Sequence, residues 1–200
     1  MKDIVIKGLS KRFGDKVVLD GLDLTLRGGE ISCVMGESGC GKSTLGKFSA
    51  NKLNLPVVDT DFIISKKAGM SISEIFETKG EDYFRKLETK VIRSLSYQKP
   101  RVVSLGGGAA AKEKNVALMK RMGIVVFINT PFDVIYERVT RNNRRPIVNN
   151  STKEELFELY KKREPIYLSA ADIVLNPTGS VEESFNELIE ELIKLKAIEN

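Results

Sequence analysis

The sequence predicts an α/β fold in which helices flank a parallel β-sheet and a short antiparallel β segment precedes it. Three observations predict this fold. From residue 30 onward, short apolar runs alternate with longer stretches of helical periodicity, as in βαβ units. The glycine-rich segment 36–43 lies between the first of these runs and the first helical stretch. The first thirty residues instead contain strand-like runs separated by turn residues.

The elements are expected in the following order. Three strand-like runs come first, at 4–6, 17–19 and 22–26, with turns at 14–15 and 28–29. Parallel strands are expected at 31–35, 57–58, 101–105, 124–128 and 172–175, and helices near 42–54, 81–97, 112–121, 131–141, 152–162 and 180–195. Helix starts are also indicated by Pro131 and by Ser-x-x-Glu capping boxes at Ser71, Ser151 and Ser180. We therefore expect an antiparallel β appendage, residues 1–29, followed by one α/β domain, residues 30–200.

The composition excludes several classes of function. The chain of 200 residues has no histidine, so a histidine metal ligand and a histidine general base are excluded. No apolar run approaches the roughly 18 residues of a membrane span, and the alternating, acid-containing N-terminus is not typical of a signal peptide. Cys33 and Cys40 are expected to be free thiols in a reducing cytoplasm. The net charge of +5 fits anionic small ligands, and no basic run with interleaved aromatics indicates a nucleic-acid partner.

Residues 36–43 form a complete phosphate-binding motif, G-x-x-x-x-G-K-[ST]. A chance match in a glycine-rich turn is the alternative, but the preceding apolar run and the following helical stretch are the context that the motif requires. Glycines let backbone N–H groups face the phosphates, and the new helix presents its positive dipole end to them. Lys42 would reach the β- and γ-phosphates and Ser43 would ligate Mg²⁺. The chain is therefore expected to bind a nucleoside triphosphate, as a P-loop NTPase does.

Two carboxylates follow the next strand. Asp59 and Asp61 come directly after the apolar pair 57–58, where a parallel strand would deliver side chains to a ligand crevice. From an extended chain the two would point the same way. One would serve Mg²⁺ and the other would meet a substrate hydroxyl, whereas the alternative is an Asx-type turn that starts a helix.

Two further segments have both a structural and a functional interpretation. Arg85 and Glu88 are three residues apart on a predicted helix, and their spacing alone favours a surface ion pair. The three glycines 106–108 follow a predicted strand directly. They form either a flexible turn or a place where a ligand touches the backbone, and the strand-end position favours the ligand.

Basic residues cluster in two later segments. The polar segment 141–146 lies between two predicted helices and resembles a mobile lid whose cations would stabilise a transferring phosphoryl group. For Arg141 and Arg144 we favour a solvated loop instead, and Arg138 would either cover a purine ring or face water. Arg163 lies in a segment, 161–167, that is expected to end one helix and begin another, so a structural role is favoured from spacing alone.

Taken together and in this order, the motifs from the phosphate loop onward resemble those of the shikimate kinases, over about three quarters of the chain. The matching segments are 41–47, 59–61, 71–76, 80–81 with Phe84, Arg85 and Glu88, 106–108, 145–146 and 163–167. The resemblance implies a small α/β fold like that of the nucleoside monophosphate kinases. It also implies an enzyme that phosphorylates the 3-hydroxyl of shikimate with ATP and Mg²⁺.

The resemblance implies a role for each matching residue. The nucleotide and its metal would be held by Gly39, Cys40, Gly41, Lys42, Ser43 and Thr44, with Asp59 supporting Mg²⁺ through water and Arg138 covering the adenine. On the acceptor side, Asp61 would orient the hydroxyl, Arg85 and Arg163 would hold the carboxylate, and the backbone of Gly107 and Gly108 would touch the ring. Arg145, on the lid, would reach the γ-phosphate when the lid closes, so that Lys42, Asp61 and Arg145 are the expected catalytic residues.

Residues 1–45 resemble a different family, the ABC-transporter ATPases. The resembling segments are 9–14, 19–24, 29–31 and 35–45. In that family the aromatic residue at Phe13 stacks on adenine, so Phe13 competes with Arg138 for that role. Both resemblances share the phosphate loop in the same register, and our hypothesis is a recombinant of the two families.

An active transporter ATPase is excluded because the chain has no Leu-Ser-Gly-Gly-Gln signature and no switch histidine. We therefore expect a cytoplasmic, monomeric shikimate kinase, and self-association through the appended strands is the alternative. The alternatives are an ATP-binding chimera that has lost transfer chemistry, a kinase for another acceptor such as gluconate or a nucleoside monophosphate, and an ABC-like nucleotide-binding module.

Overall fold

The computed structural model describes residues 4–13, 16–26, 31–95, 100–141 and 151–198. Strands β1 (Ile4–Phe13) and β2 (Lys16–Leu26) pair antiparallel and form a two-stranded sheet of their own. The expected antiparallel segment is therefore present, but the runs 17–19 and 22–26 belong to one strand rather than two. Register shifts between Ile6 and Arg12 mark irregular pairing in the ladder.

The main sheet has five strands: β3 (Ile31–Met35), β4 (Val57–Asp59), β5 (Arg101–Ser104), β6 (Val125–Ile128) and β7 (Ile173–Leu175). They are ordered β4-β5-β3-β6-β7, and every pairing is parallel. All five agree with the sequence prediction to within one residue at each end. Because the strands are parallel, their carboxyl ends meet at one edge, which is where ligands bind in sheets of this kind.

In the described residues, seven α-helices connect and cover these strands: α1 (Lys42–Lys52), α2 (Thr60–Ala68), α3 (Ile72–Leu95), α4 (Glu113–Met122), α5 (Phe132–Arg141), α6 (Lys153–Ala170) and α7 (Val181–Ile198). Helix α2 was not among the expected helices. Helix α3 begins at Ile72, directly after the helix start expected at Ser71, includes the helix expected near 81–97, and is kinked at Gly80 (φ +78°). A 3₁₀ turn, Ala109–Ala111, follows β5.

Helix α6 corrects one prediction. The segment 161–167 does not end one helix and begin another, because α6 runs unbroken from Lys153 to Ala170 with Pro165 inside it. Proline removes one backbone hydrogen bond and costs a helix interior about 3 kcal/mol. The last turns nevertheless stay helical because Tyr167 and Ala170 are buried in the core. Tertiary packing thus outweighs the local preference, and Arg163 lies within the helix rather than at its end.

The capping boxes are confirmed at two of three places. The Ser71–Glu74 and Ser180–Glu183 pairs each make both reciprocal bonds. The third box is formed by Thr152 and Glu155, one residue later than the expected Ser151 and Glu154. The sequence Ser-Thr-Lys-Glu-Glu contains a hydroxyl and a glutamate in both registers, so local chemistry does not choose between them.

The core lies on both faces of the main sheet because alternate strand residues point to opposite sides. One cluster contains Val34, Val102 and Val126 with residues of α1 and α7, and the other contains Cys33, Val103 and Val125 with residues of α3, α4 and α6. Each fully buried aliphatic side chain contributes about 1.5–3 kcal/mol. This packing fixes the sheet and so fixes the loops at its carboxyl edge.

Cys33 and Cys40 are both buried free thiols, as expected. Burial raises the pKa of the Cys33 thiol to about 12. None of the described helices combines the length and the apolar character that a bilayer-spanning segment needs.

Candidate active site

The phosphate loop connects β3 to α1 and adopts a conformation that requires glycine. Gly39 has φ +87°, and a Cβ there would lie 2.8 Å from Val139 Cγ1 on α5. Gly41 has φ +99° and is the N-cap of α1, where no described side chain makes a capping hydrogen bond. The first backbone N–H groups of α1 are therefore oriented for an anionic ligand, as in phosphate-binding loops.

Lys42 and Ser43 begin α1 at the centre of this edge. The Lys42 side chain is only 6 % exposed, and its Nζ donates to the carbonyl oxygen of Glu37 at 3.3 Å. The Lys42 ammonium therefore lies over the loop rather than in bulk solvent. Ser43 Oγ is 3.3 Å from Ser104 Oγ at the end of β5, so its hydroxyl faces the crevice between the two strands.

A cavity of about 770 Å³ lies beside the loop and is large enough for a nucleotide. Its lining residues include Gly39, Cys40, Gly41, Lys42, Ser43, Thr44, Arg138, Val139, Pro177 and Gly179. Arg138 Nη1 donates to the carbonyl oxygen of Gly39 at 3.2 Å. Six expected nucleotide-binding residues, from Gly39 to Thr44, and Arg138 thus surround one space. The contribution of the segment after β7, which includes Pro177 and Gly179, was not predicted from the sequence.

Asp59 and Asp61 do not both lie on an extended chain, because Asp59 ends β4 and Asp61 is helical, and this corrects the expected geometry. Asp59 is the N-cap of α2, and its Oδ1 accepts from the backbone N–H groups of Asp61 at 2.9 Å and Phe62 at 3.3 Å. Asp61 therefore belongs to the first turn of α2. The carboxylate of Asp59 starts the helix, as in the Asx-type alternative, because it satisfies backbone donors that have no partner within the helix.

Asp61 is held close to the glycine segment after β5. A Cβ on Gly106 would lie 2.7 Å from Asp61 Oδ1 and 3.3 Å from Glu88 Oε1. Gly106 is thus needed because two carboxylates approach it closely. Buried Thr60 joins the same two loops, since its Oγ1 donates to the carbonyl of Ser104 and accepts from the N–H of Gly106. No role was predicted for Thr60, because the two charged residues that flank it were the candidates for chemistry in this segment.

Arg85 and Glu88 on α3 do not form a surface ion pair, contrary to the interpretation that their spacing favoured. Glu88 is 0 % exposed and Arg85 14 % exposed, and Arg85 Nη1 lies 3.0 Å from Glu88 Oε2. Burial raises the pKa of the Glu88 carboxyl, and the charge of Arg85 opposes that rise. On the other side, Arg85 Nη2 lies 3.0 Å from Glu81 Oε1. Glu81 and Glu88 thus hold the Arg85 guanidinium beside the backbone of Gly108. A Cβ on Gly108 would overlap that guanidinium.

Arg163 on α6 contacts the phosphate loop through Glu37. Its Nη1 donates to both carboxylate oxygens of Glu37 at 3.2 Å, and Tyr167 donates its hydroxyl to Glu37 Oε1 at 3.0 Å. The Tyr167 hydroxyl also contacts the carbonyl oxygen of Gly107. Sequence reasoning gave no role to Glu37 or Tyr167. A carboxylate inside a loop built for anions was a usable signal, because such a group needs a cation nearby.

A second cavity, of about 140 Å³, is formed where these groups meet. Its lining includes Glu37, Ser38, Asp61, Phe76, Phe84, Arg85, Glu88, Gly106, Gly107, Gly108, Tyr160 and Arg163. The two cavities share Ser38 and Val139, so they adjoin at the phosphate loop. All five expected acceptor-side residues, namely Asp61, Arg85, Gly107, Gly108 and Arg163, line the smaller cavity.

Two expected site residues are not described at this edge. Arg145 lies outside the described residues, as does Arg144 of the same segment. Phe13 ends strand β1, and its side chain is also outside the described part of the chain. Arg141 pairs with Glu137 on the exposed surface of α5 at 2.6 Å, which agrees with the solvated interpretation.

Comparison with known proteins identifies the family to which these features belong. The family model for shikimate kinase matches residues 38–193. The shikimate kinase of Aquifex aeolicus is 41 % identical over 149 residues, covering 74 % of this chain and 88 % of that protein. The one from Persephonella marina is 40 % identical over 157 residues, covering 78 % and 94 %. A solved shikimate kinase from Acinetobacter baumannii, in complex with shikimate, superposes with a TM-score of 0.76 at 32 % identity, covering 82 % of this chain and 92 % of that one.

Proposed function

The chain belongs to the shikimate kinase family, and from this premise we propose which of its residues transfer a phosphoryl group from ATP to the 3-hydroxyl of shikimate. The observation that carries the proposal is the pair of adjoining cavities on either side of the phosphate loop. One is large and lined by backbone N–H donors, and the other is small and lined by paired charges. Two substrates bound there would face each other across Ser38.

On the nucleotide side, Gly39, Cys40 and Gly41 would bind the phosphates through backbone N–H groups, with Ser43 and Thr44 at the helix start. Lys42 would exchange its contact with the Glu37 carbonyl for the β- and γ-phosphates of ATP. This is supported by the positive φ angles of Gly39 and Gly41 and by the uncapped N-terminus of α1 in the described structure.

We propose that Mg²⁺ is held by Ser43, with Asp59 acting through water. The described residues contain no cluster of three or more acidic or cysteine side chains that would enclose a metal. Asp59 is paired with Ser104 in the sheet, and Ser43 Oγ lies 3.3 Å from Ser104 Oγ, so the two proposed donors lie on either side of Ser104. So few protein donors suit Mg²⁺, which keeps several waters and is usually bound through one or two protein groups together with substrate phosphates. The ion would neutralise charge on the β- and γ-phosphates as the bond to the leaving group breaks.

On the acceptor side, Arg85 and Arg163 would bind the substrate carboxylate, because planar guanidinium groups suit bidentate recognition. The backbone of Gly107 and Gly108 would touch the ring. Asp61 would accept a hydrogen bond from the 3-hydroxyl, orient it toward the γ-phosphate and take its proton late in the transfer. The support is geometric: all these groups line the 140 Å³ cavity.

Phosphoryl transfer requires little covalent help, so positioning and charge provide most of the rate. We propose that Arg145 stabilises the γ-phosphoryl group when the segment around it closes, which would also keep water from the reaction. Arg138 would cover the adenine, with Phe13 as its competitor. The support for Arg138 is its place at the wall of the larger cavity, anchored on Gly39.

A coupled assay of ADP release tests the whole proposal. Shikimate is expected to stimulate ADP release strongly, and the product is expected to carry phosphate on the 3-hydroxyl. ATP binding with no shikimate-dependent release would favour the alternative, an ATP-binding protein that has lost transfer chemistry. Measuring nucleotide affinity in parallel by calorimetry separates that case from a protein that does not bind ATP.

We also propose that residues 1–29 are a separate β appendage, related to the start of an ABC-transporter ATPase and joined to the kinase at the phosphate loop. The support is the separate two-stranded sheet and a family match that begins only at residue 38. Removing residues 2–29 is expected to leave shikimate-dependent ADP release intact, and loss of folding on removal would contradict a separate appendage.

A reducing cytoplasm is proposed from the two free thiols. A monomeric state is also proposed, and analytical ultracentrifugation tests it.

A further inference from the structure

Glu37 directs its carboxylate into the cavity proposed for the acceptor. Although it belongs to the phosphate loop, its side chain is only 13 % exposed and meets Arg163 from a helix more than a hundred residues away. Both carboxylate oxygens lie 3.2 Å from Arg163 Nη1, and one of them accepts from the Tyr167 hydroxyl at 3.0 Å. A negative group thus already lies on one of the two arginines that the proposed mechanism assigns to the substrate's carboxylate.

The charges that line the cavity make this contact more than incidental. Of the residues that the structure describes, three carboxylates line it, those of Glu37, Asp61 and Glu88, against the two guanidinium groups of Arg85 and Arg163. Glu88 balances Arg85 directly, and Glu37 balances Arg163. A second carboxylate arriving at Arg163 would therefore come into contact with a like charge, which is unfavourable in a partly buried site.

We propose that Glu37 competes with the carboxylate of shikimate for Arg163, and so sets the affinity of this chain for its acceptor. The inference rests on the proposed function, in which Arg163 binds that carboxylate. When shikimate binds, its carboxylate takes the place of Glu37 on Arg163, and the Glu37 side chain turns away. Without shikimate, the contact keeps Arg163 oriented toward the cavity.

Arg163 and Tyr167, the two groups that contact Glu37, each keep a hydrogen-bonding partner after the exchange. The exchange is therefore physically accessible. Arg163 gives up one carboxylate and gains another. The Tyr167 hydroxyl has a single proton and contacts two acceptors, Glu37 Oε1 and the Gly107 carbonyl, so it keeps a full hydrogen bond after Glu37 leaves. Burial raises the pKa of the Tyr167 phenol and does not depend on Glu37, so the hydroxyl remains a donor throughout.

Steady-state kinetics of Glu37→Gln test the proposal. The variant keeps the shape of the side chain and removes its charge, so the KM for shikimate is expected to fall by about 3- to 30-fold, the range for a partly buried charge contact. The kcat and the KM for ATP are expected to change less than twofold. Glu158→Gln is the matched control, because Glu158 pairs with Lys161 on the exposed side of the same helix that carries Arg163.

The methyl ester of shikimate separates competition from a change of shape. The ester has no negative charge to compete with Glu37, so Glu37→Gln is expected to leave its KM unchanged. An equal gain for acid and ester would overturn the proposal, as would an unchanged or raised KM for shikimate. If Glu37→Gln does not yield folded protein, Glu37→Met removes the same charge and carries the same expectation.

Arg163→Ala distinguishes failure of this inference from failure of the proposed function. If that variant binds shikimate as tightly as the parent chain, Arg163 does not bind the substrate's carboxylate, and the proposed function is wrong about the acceptor site. If it binds shikimate weakly while Glu37→Gln brings no gain, only the competition is refuted. In the double variant, Glu37→Gln is expected not to lower the KM for shikimate, because Arg163, for which the two carboxylates would compete, is absent.

Discussion

Replacing Gly106 by alanine tests whether the position of Asp61 controls phosphoryl transfer. Gly106 follows β5, and the new Cβ would lie 2.7 Å from Asp61 Oδ1. Such contacts are ordinary from 3.4 Å upward, so the carboxylate must retreat by about 0.7 Å. The Glu88 carboxylate, 3.3 Å from the same Cβ, leaves Asp61 little freedom to retreat toward α3. The side chain that would receive the acceptor hydroxyl is therefore displaced.

We expect kcat with shikimate to fall about 10²-fold, because misplacement by about 1 Å is enough to cost that factor. Nucleotide affinity is expected to stay within twofold, since Gly106 does not line the larger cavity. The free energy of unfolding is expected to fall by only about 1–3 kcal/mol, as for a small overpacking change. The coupled assay measures kcat, calorimetry measures ATP binding, and urea denaturation measures stability.

Gly46→Ala provides the control for adding a methyl group near the site. Gly46 lies inside α1, and its new Cβ would be 3.6 Å from Val102 Cγ1, an ordinary contact. Because alanine favours the helix over glycine by about 1 kcal/mol, this variant is expected to be as stable as the parent chain or more stable, with unchanged kcat. Equal kcat values for Gly106→Ala and Gly46→Ala would refute the role given to Asp61.

Three further variants extend these tests. Asp61→Asn is expected to lower kcat by about 10²–10⁴-fold while ATP binding persists, and a near-normal rate in the coupled assay would contradict its role as the group that receives the proton. Arg163→Ala is expected to weaken shikimate binding about 10²-fold with little effect on ATP, and calorimetry showing equal losses for both ligands would rule out the clamp. Thr60→Val removes the hydroxyl that joins Ser104 and Gly106; we expect a loss of about 1–3 kcal/mol in urea unfolding, and an unchanged midpoint would show that this bridge is dispensable.

Features that depend on neighbouring residues could be predicted from the sequence. The strand–loop–helix of the phosphate site follows from glycine spacing around Lys42, and the positions of the five strands along the chain follow from apolar runs separated by helical periodicity. The capping boxes at Ser71 and Ser180 were also predictable. In each case the deciding interactions lie within a few residues along the chain, so the local pattern carries them.

Features that depend on packing between distant segments could not be predicted in this way. Helical spacing alone suggested a surface ion pair for Arg85 and Glu88, but α3 packs with that face inward and Glu88 is fully buried. The segment 161–167 was expected to end one helix and begin another, but the burial of Tyr167 keeps α6 continuous. The exposure of a residue depends on which face of its element meets the core, and spacing does not specify that face.

The sequence by itself determined that the chain has a nucleotide-binding α/β fold, and its motifs indicated a kinase for a small organic acid. Only the tertiary structure decided that Glu37 meets Arg163 and that Asp61, Arg85 and Arg163 share one cavity. The physical reason is that parallel strands joined by helices bring to one edge groups that are far apart in the chain. The order β4-β5-β3-β6-β7 sets which of them become neighbours.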